Sequence, residues 1–165
     1  MSHRENANPI PYADLVGAKD PLGVLEDTPK RIEELVRGWD RTRWSKSYAK
    51  GKWSGAQVVL HLVHDEVAWS HRVRMALTVP GYVPQPFDGG KWVALESPPD
   101  PELVLQAFLA LRRLNLMLYR RLTAKQRSRT IAHPEFGAIS VDWILRILAG
   151  HDLHHLQHLR AIAAA

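Results

Sequence analysis

The stretch Ser140-Val141-Asp142-Trp143-Ile144-Leu145-Arg146-Ile147-Leu148-Ala149-Gly150-His151-Asp152-Leu153-His154-His155-Leu156-Gln157-His158 decides the reading of the fold. Ser140 supplies a side-chain oxygen that caps a helix start. Asp142 adds an acid in the first turn, where the helix dipole favours it. Ile144, Leu145, Ile147, Leu148, Leu153, Leu156, Leu159 and Ile162 then recur at intervals of three and four, the period of a helix with one apolar face. Residues three and four apart share a face, so His151, His154, His155 and His158 form a narrow stripe. Ile144, Ile147 and Leu148 precede that stripe on the same side, which predicts that it points inward.

Three further helices read out of the preceding chain. Asp20-Pro21 opens the first, with Asp20 as N-cap and Leu22, Leu25, Ile32, Leu35 and Val36 as its stripe. Pro29 removes an interior donor and marks a kink or a restart. A linker from Arg41 to Lys52 follows. Ser54, with Gln57 three residues on, caps the second helix, which carries Val58, Val59, Leu62, Val63, Trp69, Val73 and Leu77. Proline and glycine crowd the stretch from Pro80 to Asp100, which reads as an irregular crossover loop. The third helix runs from Pro101 to about Leu122. Thr123 to Gly137 is a second loop, with a short turn or strand over residues 131–137.

These elements predict an all-α fold, a four-helix bundle with a long crossover between helices 2 and 3. They form one domain over residues 1–165, with an irregular lead-in at 1–19. A helical domain of other connectivity, or an α+β fold with unrecognised strands, are the alternatives.

The bulk composition narrows the function classes. Hydrophobic residues are 45% and charged residues 24%, which is globular rather than disordered. There is no cysteine, so thiolate metal sites and disulfides are excluded and any transition metal must sit on imidazole and carboxylate. No apolar run reaches membrane-helix length and the N-terminus lacks a secretory core, so no membrane partner and a cytoplasmic location are expected. The net charge of +5 comes from scattered pairs such as Arg112-Arg113 and Arg120-Arg121, read as solvated helix faces. Nucleic acid is therefore not an expected partner.

A histidine pair at i and i+4 can chelate one ion, and His151 and His155 have that spacing. Asp152, Leu153 and His154 fill the interval, so the His-Glu-x-x-His protease motif is absent. The second helix offers His61, followed by His64, Asp65 and Glu66. In bundles, ligands come from facing helices, and three nitrogens leave coordination positions for water and substrate. Spacing alone also fits an exposed or adventitious stripe, and both readings stand at this point. Trp53 and Trp69 read as core, and Arg72 as a surface or interface charge. Tyr82, Phe87 and Trp92 read as anchors of an ordinary crossover, with the wall of a pocket as the other reading.

Three segments resemble the DinB-like (YfiT-like) superfamily of metal-dependent hydrolases and thiol transferases. They are Lys52-Trp53-Ser54 leading to Val58-Val59-Leu60-His61-Leu62 and Glu66, then His133-Pro134-Glu135-Phe136-Gly137, then Gly150-His151-Asp152-Leu153-His154-His155-Leu156 with Leu159-Arg160. The resemblance implies a four-helix bundle, a homodimer, and a divalent ion (nickel, zinc or iron) on His61, His151 and His155. The family commonly has glutamine where this chain has His158, which makes His158 a candidate fourth ligand or base. His64, one turn from His61, competes for the ion on this reading, and Glu66 is a supporting group.

Such a centre would activate a low-molecular-weight thiol or a water for transfer or hydrolysis on a small-molecule substrate. Asp152 and His158 are the expected catalytic residues, with Asp65 as another candidate base. The alternative is a non-catalytic dimeric stress-response or ligand-binding module with a vestigial metal site.

Overall fold

A computed structural model describes residues 9–165. The first eight residues of the predicted lead-in lie outside the described part. The elements are α1 (Ala13–Val16), α2 (Pro21–Val36), α3 (Arg41–Ser45), α4 (Gly55–Thr78), α5 (Gly89–Leu95), α6 (Pro101–Tyr119), α7 (Ala124–Arg127), β1 (Thr130–His133), β2 (Gly137–Ser140) and α8 (Val141–Ala164). Helices α2, α4, α6 and α8 form the four-helix bundle. α2 packs on α8 and α6, and α4 packs on α6 and α8.

The caps fall where the sequence puts them. Asp20 accepts from Gly23 N, Ser54 and Gln57 form a reciprocal capping box, and Ser140 accepts from Trp143 N. Three expectations need correction, and the short turn or strand expected over residues 131–137 is found. The lead-in contains α1, seated against α8 where Gly150 leaves room: a Cβ there would stand 2.5 Å from the Tyr12 carbonyl oxygen. The 41–52 linker contains α3, started by the Asp40 side chain. The crossover is not wholly irregular, because Asp88 caps α5 within it. Residues 130–140 close as an antiparallel hairpin with His133 opposite Gly137.

Two apolar clusters fill the bundle, and their order along each helix gives its direction. One holds Leu25, Trp69, Val73, Leu116, Ile144 and Leu148; the other holds Ile32, Val58, Leu62, Phe108, Leu156 and Leu159. α2 and α8 pass from the first to the second, whereas α4 and α6 pass from the second to the first. α4 and α6 are thus neighbours running the same way, which is why their connection must travel the length of the bundle.

Between the clusters lies a polar layer with a contribution from every bundle helix. Arg112 is 1% exposed and contradicts its reading as a solvated charge. Its Nε and Nη2 donate to Glu66 Oε1 at 2.9 and 2.7 Å, and Nη1 and Nη2 donate to Asp152 Oδ2 and Oδ1 at 2.6 and 3.0 Å. Asn115 Nδ2 donates to Glu66 Oε2 at 2.8 Å, and Thr28 Oγ1 donates to Asp152. Pro29 does not restart α2, which runs unbroken from Pro21 to Val36. Its missing N–H leaves the Leu25 carbonyl without a helical partner, and Arg112 Nη1 donates to that oxygen at 3.0 Å.

Candidate metal centre

His61 on α4 faces His151 and His155 on α8. Their Nε2 atoms converge: His61 to His151 is 3.2 Å and His155 to His151 is 3.0 Å. One ligand atom from each of the three lies within 4.8 Å of the others. Nitrogens bound at about 2.0–2.1 Å to one tetrahedral ion would stand roughly 3.3 Å apart, and an octahedral site would bring them to about 2.9 Å. The three imidazoles are therefore spaced for a single ion.

Electrostatics keeps two of the three rings neutral. Burial first, with His151 second among the lowering causes, pulls His61 down to about 4 against the opposing pull of Asp65. Burial and His151 push His155 lower still. His151 is the exception. Burial works against its charge, but the Asp65 carboxylate outweighs burial and raises it. His151 Nδ1 lies 2.7 Å from Asp65 Oδ2. Asp65 is itself held low, with the penalty of burial exceeded by His151. Without metal, a proton on His151 Nε2 would face the Nε2 atoms of His61 and His155 at 3.2 and 3.0 Å. An ion would replace that proton, and Asp65 would hold the ring in the tautomer that coordinates through Nε2.

In metal-free protein this cluster makes stability depend on pH. The unfolded chain protonates His61 near 6.5, whereas the folded chain resists until about 4. The contribution is intact above 6.5 and is lost as pH falls toward 4, by about 3 kcal/mol for His61 alone. His155 adds in the same direction, and His151 offsets part of it. Urea midpoints for metal-free protein are expected to fall steeply between pH 7 and 4.5; an unchanged midpoint would contradict the buried neutral rings.

The remaining histidines do not join the three. His64 turns to α5, with Nε2 3.2 Å from Glu96 Oε1 and its ring against Trp92, so it does not compete for the ion. His154 stacks on Tyr12. His158 stacks on Tyr48, and its Nδ1 lies 3.3 Å from His155 Nδ1, behind the ring edge that faces the cluster. His158 is thus placed as neither a fourth ligand nor a base at the reacting end. Asp152 needs the same correction. Its carboxylate is consumed by Arg112 and Thr28 in the polar layer, because one helical step past His151 turns the side chain by about 100°.

Three contacts around the centre were not legible as such. Trp53 is not simply core: its ring covers His61 at 4.7 Å and His155 at 6.2 Å. Arg72 is buried, not superficial. Gly89, at the start of α5, touches the His61 ring so closely that a Cβ would stand 2.6 Å from its Cε1 and 2.9 Å from its Nδ1. Gly89→Ala is expected to displace His61 and weaken metal binding roughly 10–100-fold, the scale of losing an outer partner. Gly90→Ala, which would meet only Asp88 Oδ1 at 3.3 Å, should leave affinity unchanged in the same competition titration.

A pocket of about 420 Å³ opens beside His151, lined also by Tyr12, Asp65, Trp69, Phe87, Glu135 and Phe136 among others. Phe87 of the crossover is therefore a wall of the pocket. Tyr12 holds φ 60°, the left-handed region, to place its ring there.

A parallel-and-antiparallel helical bundle with three converging imidazoles at a pocket is a bundle with a candidate metal site. The chain belongs to the DinB superfamily, whose pattern it matches over residues 25–159. Over 142 residues it is 31% identical to a "putative metal-dependent hydrolase" of Oceanobacillus iheyensis, covering 86% of this chain and 83% of that one. Bacillus subtilis YfiT, described as a probable metal-dependent hydrolase with an unusual four-helix bundle topology, shares the fold. The TM-score is 0.82 at 24% identity, over 99% of this chain and 92% of that one. A mycothiol-dependent maleylpyruvate isomerase shares it with a TM-score of 0.72 at 12% identity, over 89% of this chain and 62% of that one. Among the described residues, no helix is long and apolar enough to cross a membrane.

Proposed function

We propose that this chain is a metal-dependent enzyme acting on a small molecule, with His61, His151 and His155 as ligands of one divalent ion. The convergence of three Nε2 atoms beside a pocket is the observation that carries the reading. Nickel, zinc and iron all suit an imidazole donor set. Bound there, a divalent ion would supply positive charge that favours a deprotonated thiol or water nucleophile and polarises an electrophile.

The chain's own side chains supply the rest. Asp65 orients His151 and, of the two acids that line the pocket, is the one in contact with a ligand histidine, which makes it the base we favour over Asp152 and His158. Trp53 keeps water from the His61 and His155 rings, and Tyr12, Trp69, Phe87 and Phe136 give an apolar wall to the substrate body. The relatives' naming favours hydrolysis, and the mycothiol-dependent isomerase with the same fold favours thiol chemistry. A homodimer is supported by Leu103, Leu114 and Met117, large apolar residues exposed on α6.

The test uses protein purified without a histidine tag and loaded with metal. It is assayed for thiol consumption with an electrophile, and separately for ester and amide hydrolysis. Turnover that stops on chelation and in His151→Ala is expected. A cobalt-loaded form whose visible spectrum is unmoved by thiol, with no turnover in either assay, would favour the non-catalytic binding module.

A further inference from the structure

Arg72 is a buried cation without a carboxylate partner. It lies on the same stripe of α4 as His61, Asp65 and Trp69, and is 4% exposed. Its guanidinium carbon is 4.3 Å from the Trp69 ring centroid and 5.4 Å from that of Phe87, two rings that line the pocket. Nη2 donates to the Gln85 carbonyl at 3.0 Å. Among the described residues no acid reaches ion-pairing distance; Asp65 and Glu135 act on it from farther away. Burial works against such a charge and lowers its pKa, and Tyr82, Asp65 and Glu135 only partly offset this.

His133 packs on the same tryptophan, 5.7 Å between ring centroids. Its Nδ1 accepts from the backbone N–H groups of Glu135 and Phe136 at 3.2 and 3.4 Å. Burial, with Arg72 second, keeps the ring below its ordinary pKa and so neutral near pH 7. The single proton then sits on Nε2, a buried atom with no partner among the described residues. A guanidinium without a counter-ion and an N–H without an acceptor, gathered on one ring, lack the acceptor that a bound anion would bring.

We propose that the pocket takes substrates bearing a carboxylate, held by Arg72 and His133 Nε2–H at the Trp69 end, with the reacting group at the His61, His151 and His155 end. The second half of that statement rests on the metal reading; the first does not. Seven residues of helix separate Asp65 from Arg72, which sets the two ends roughly 10 Å apart. The aromatic walls select an apolar body between them. Asp65 and Glu135 also line the pocket and repel any anion, a dianionic phosphate about twice as strongly as a carboxylate, so the singly charged group is the one that fits. Arg72 and His133 lie behind the pocket's own lining and Phe87 lies over the guanidinium, so the proposal requires the Phe87 ring to turn aside on entry.

The test compares 4-phenylbutanoate with its neutral amide by calorimetry, on the full chain with and without metal. The carboxylate is expected to bind roughly 10–100-fold more tightly than the amide in both forms, the scale of a hydrogen bond to a charged group. Arg72→Gln should erase that preference while metal content stays unchanged. Arg72→Lys, which keeps the charge and most of the stem, should retain a reduced preference and guards against a misfolded glutamine variant. A preference that survives Arg72→Gln, or that exists only in metal-loaded protein, would place the carboxylate on another cation and overturn the proposal. No preference in the wild type would overturn it as well. A chain that binds no metal sinks the metal reading, yet the metal-free comparison still decides the anchor.

Discussion

Alanine in place of His155 is expected to lower divalent-metal affinity more than 100-fold without loss of helical content. Removing an outer partner of a ligand costs roughly 10–100-fold, and removing one of three donors must exceed that. His155 suits the test because its ring is buried and held neutral, so its removal strands no charge. His64→Ala is the paired control. Its Nε2 faces Glu96, not the cluster, so affinity should stay within a few-fold of wild type. Competition against a chromophoric chelator measures both, with far-UV circular dichroism as the fold control. Wild-type affinity in His155→Ala, or a large loss in His64→Ala, would mean that the ion sits on a different set.

Arg112→Met is expected to destabilise the fold by about 3–5 kcal/mol, because it leaves Glu66 and Asp152 as uncompensated buried acids. For a chain of this length that is a fall in Tm of roughly 6–20 °C. The guanidinium also satisfies the Leu25 carbonyl that Pro29 leaves open, so the change disturbs α2 as well as the acids. Replacing Glu66, Arg112 and Asp152 together by apolar residues of similar size should recover much of the loss, since the buried ions are costly once any partner is missing. Arg113→Met, one residue away and exposed, should change stability by less than about 0.5 kcal/mol. Urea unfolding of metal-free protein separates these cases. A small effect at Arg112 would show that water reaches the layer.

How much of this could be read from the sequence depended on whether the signal was local. The caps at Asp20, Ser54 and Ser140 announce themselves in four residues, and the three-and-four rhythm of α8 put His151 and His155 on the inner side, while His154 and His158 sit at the edge on Tyr12 and Tyr48. The pairing of His61 with His151 and His155 combined that rhythm with the rule that bundle ligands come from facing helices. Arg112 was misread because its partners, Glu66 and Asp152, are distant in the chain and Arg113 beside it made the pair look solvated. α5 was hidden by Gly89 and Gly90, weak helix formers, of which Gly89 is required because the chain passes against His61 there. The fate of Asp152 was closer to legible: a residue next to an inward ligand points about 100° away from it. Asp65, at i+4 from His61, was visible as an acid on the right face, but its tie to His151 needed the packing of α4 on α8.

The most direct test of the central claim is a crystal of tag-free protein loaded with one metal, measured on both sides of that metal's absorption edge. An anomalous peak about 2.0–2.1 Å from the Nε2 atoms of His61, His151 and His155 is the expected result. A peak on His154 and His158, or none at full metal loading, would contradict it.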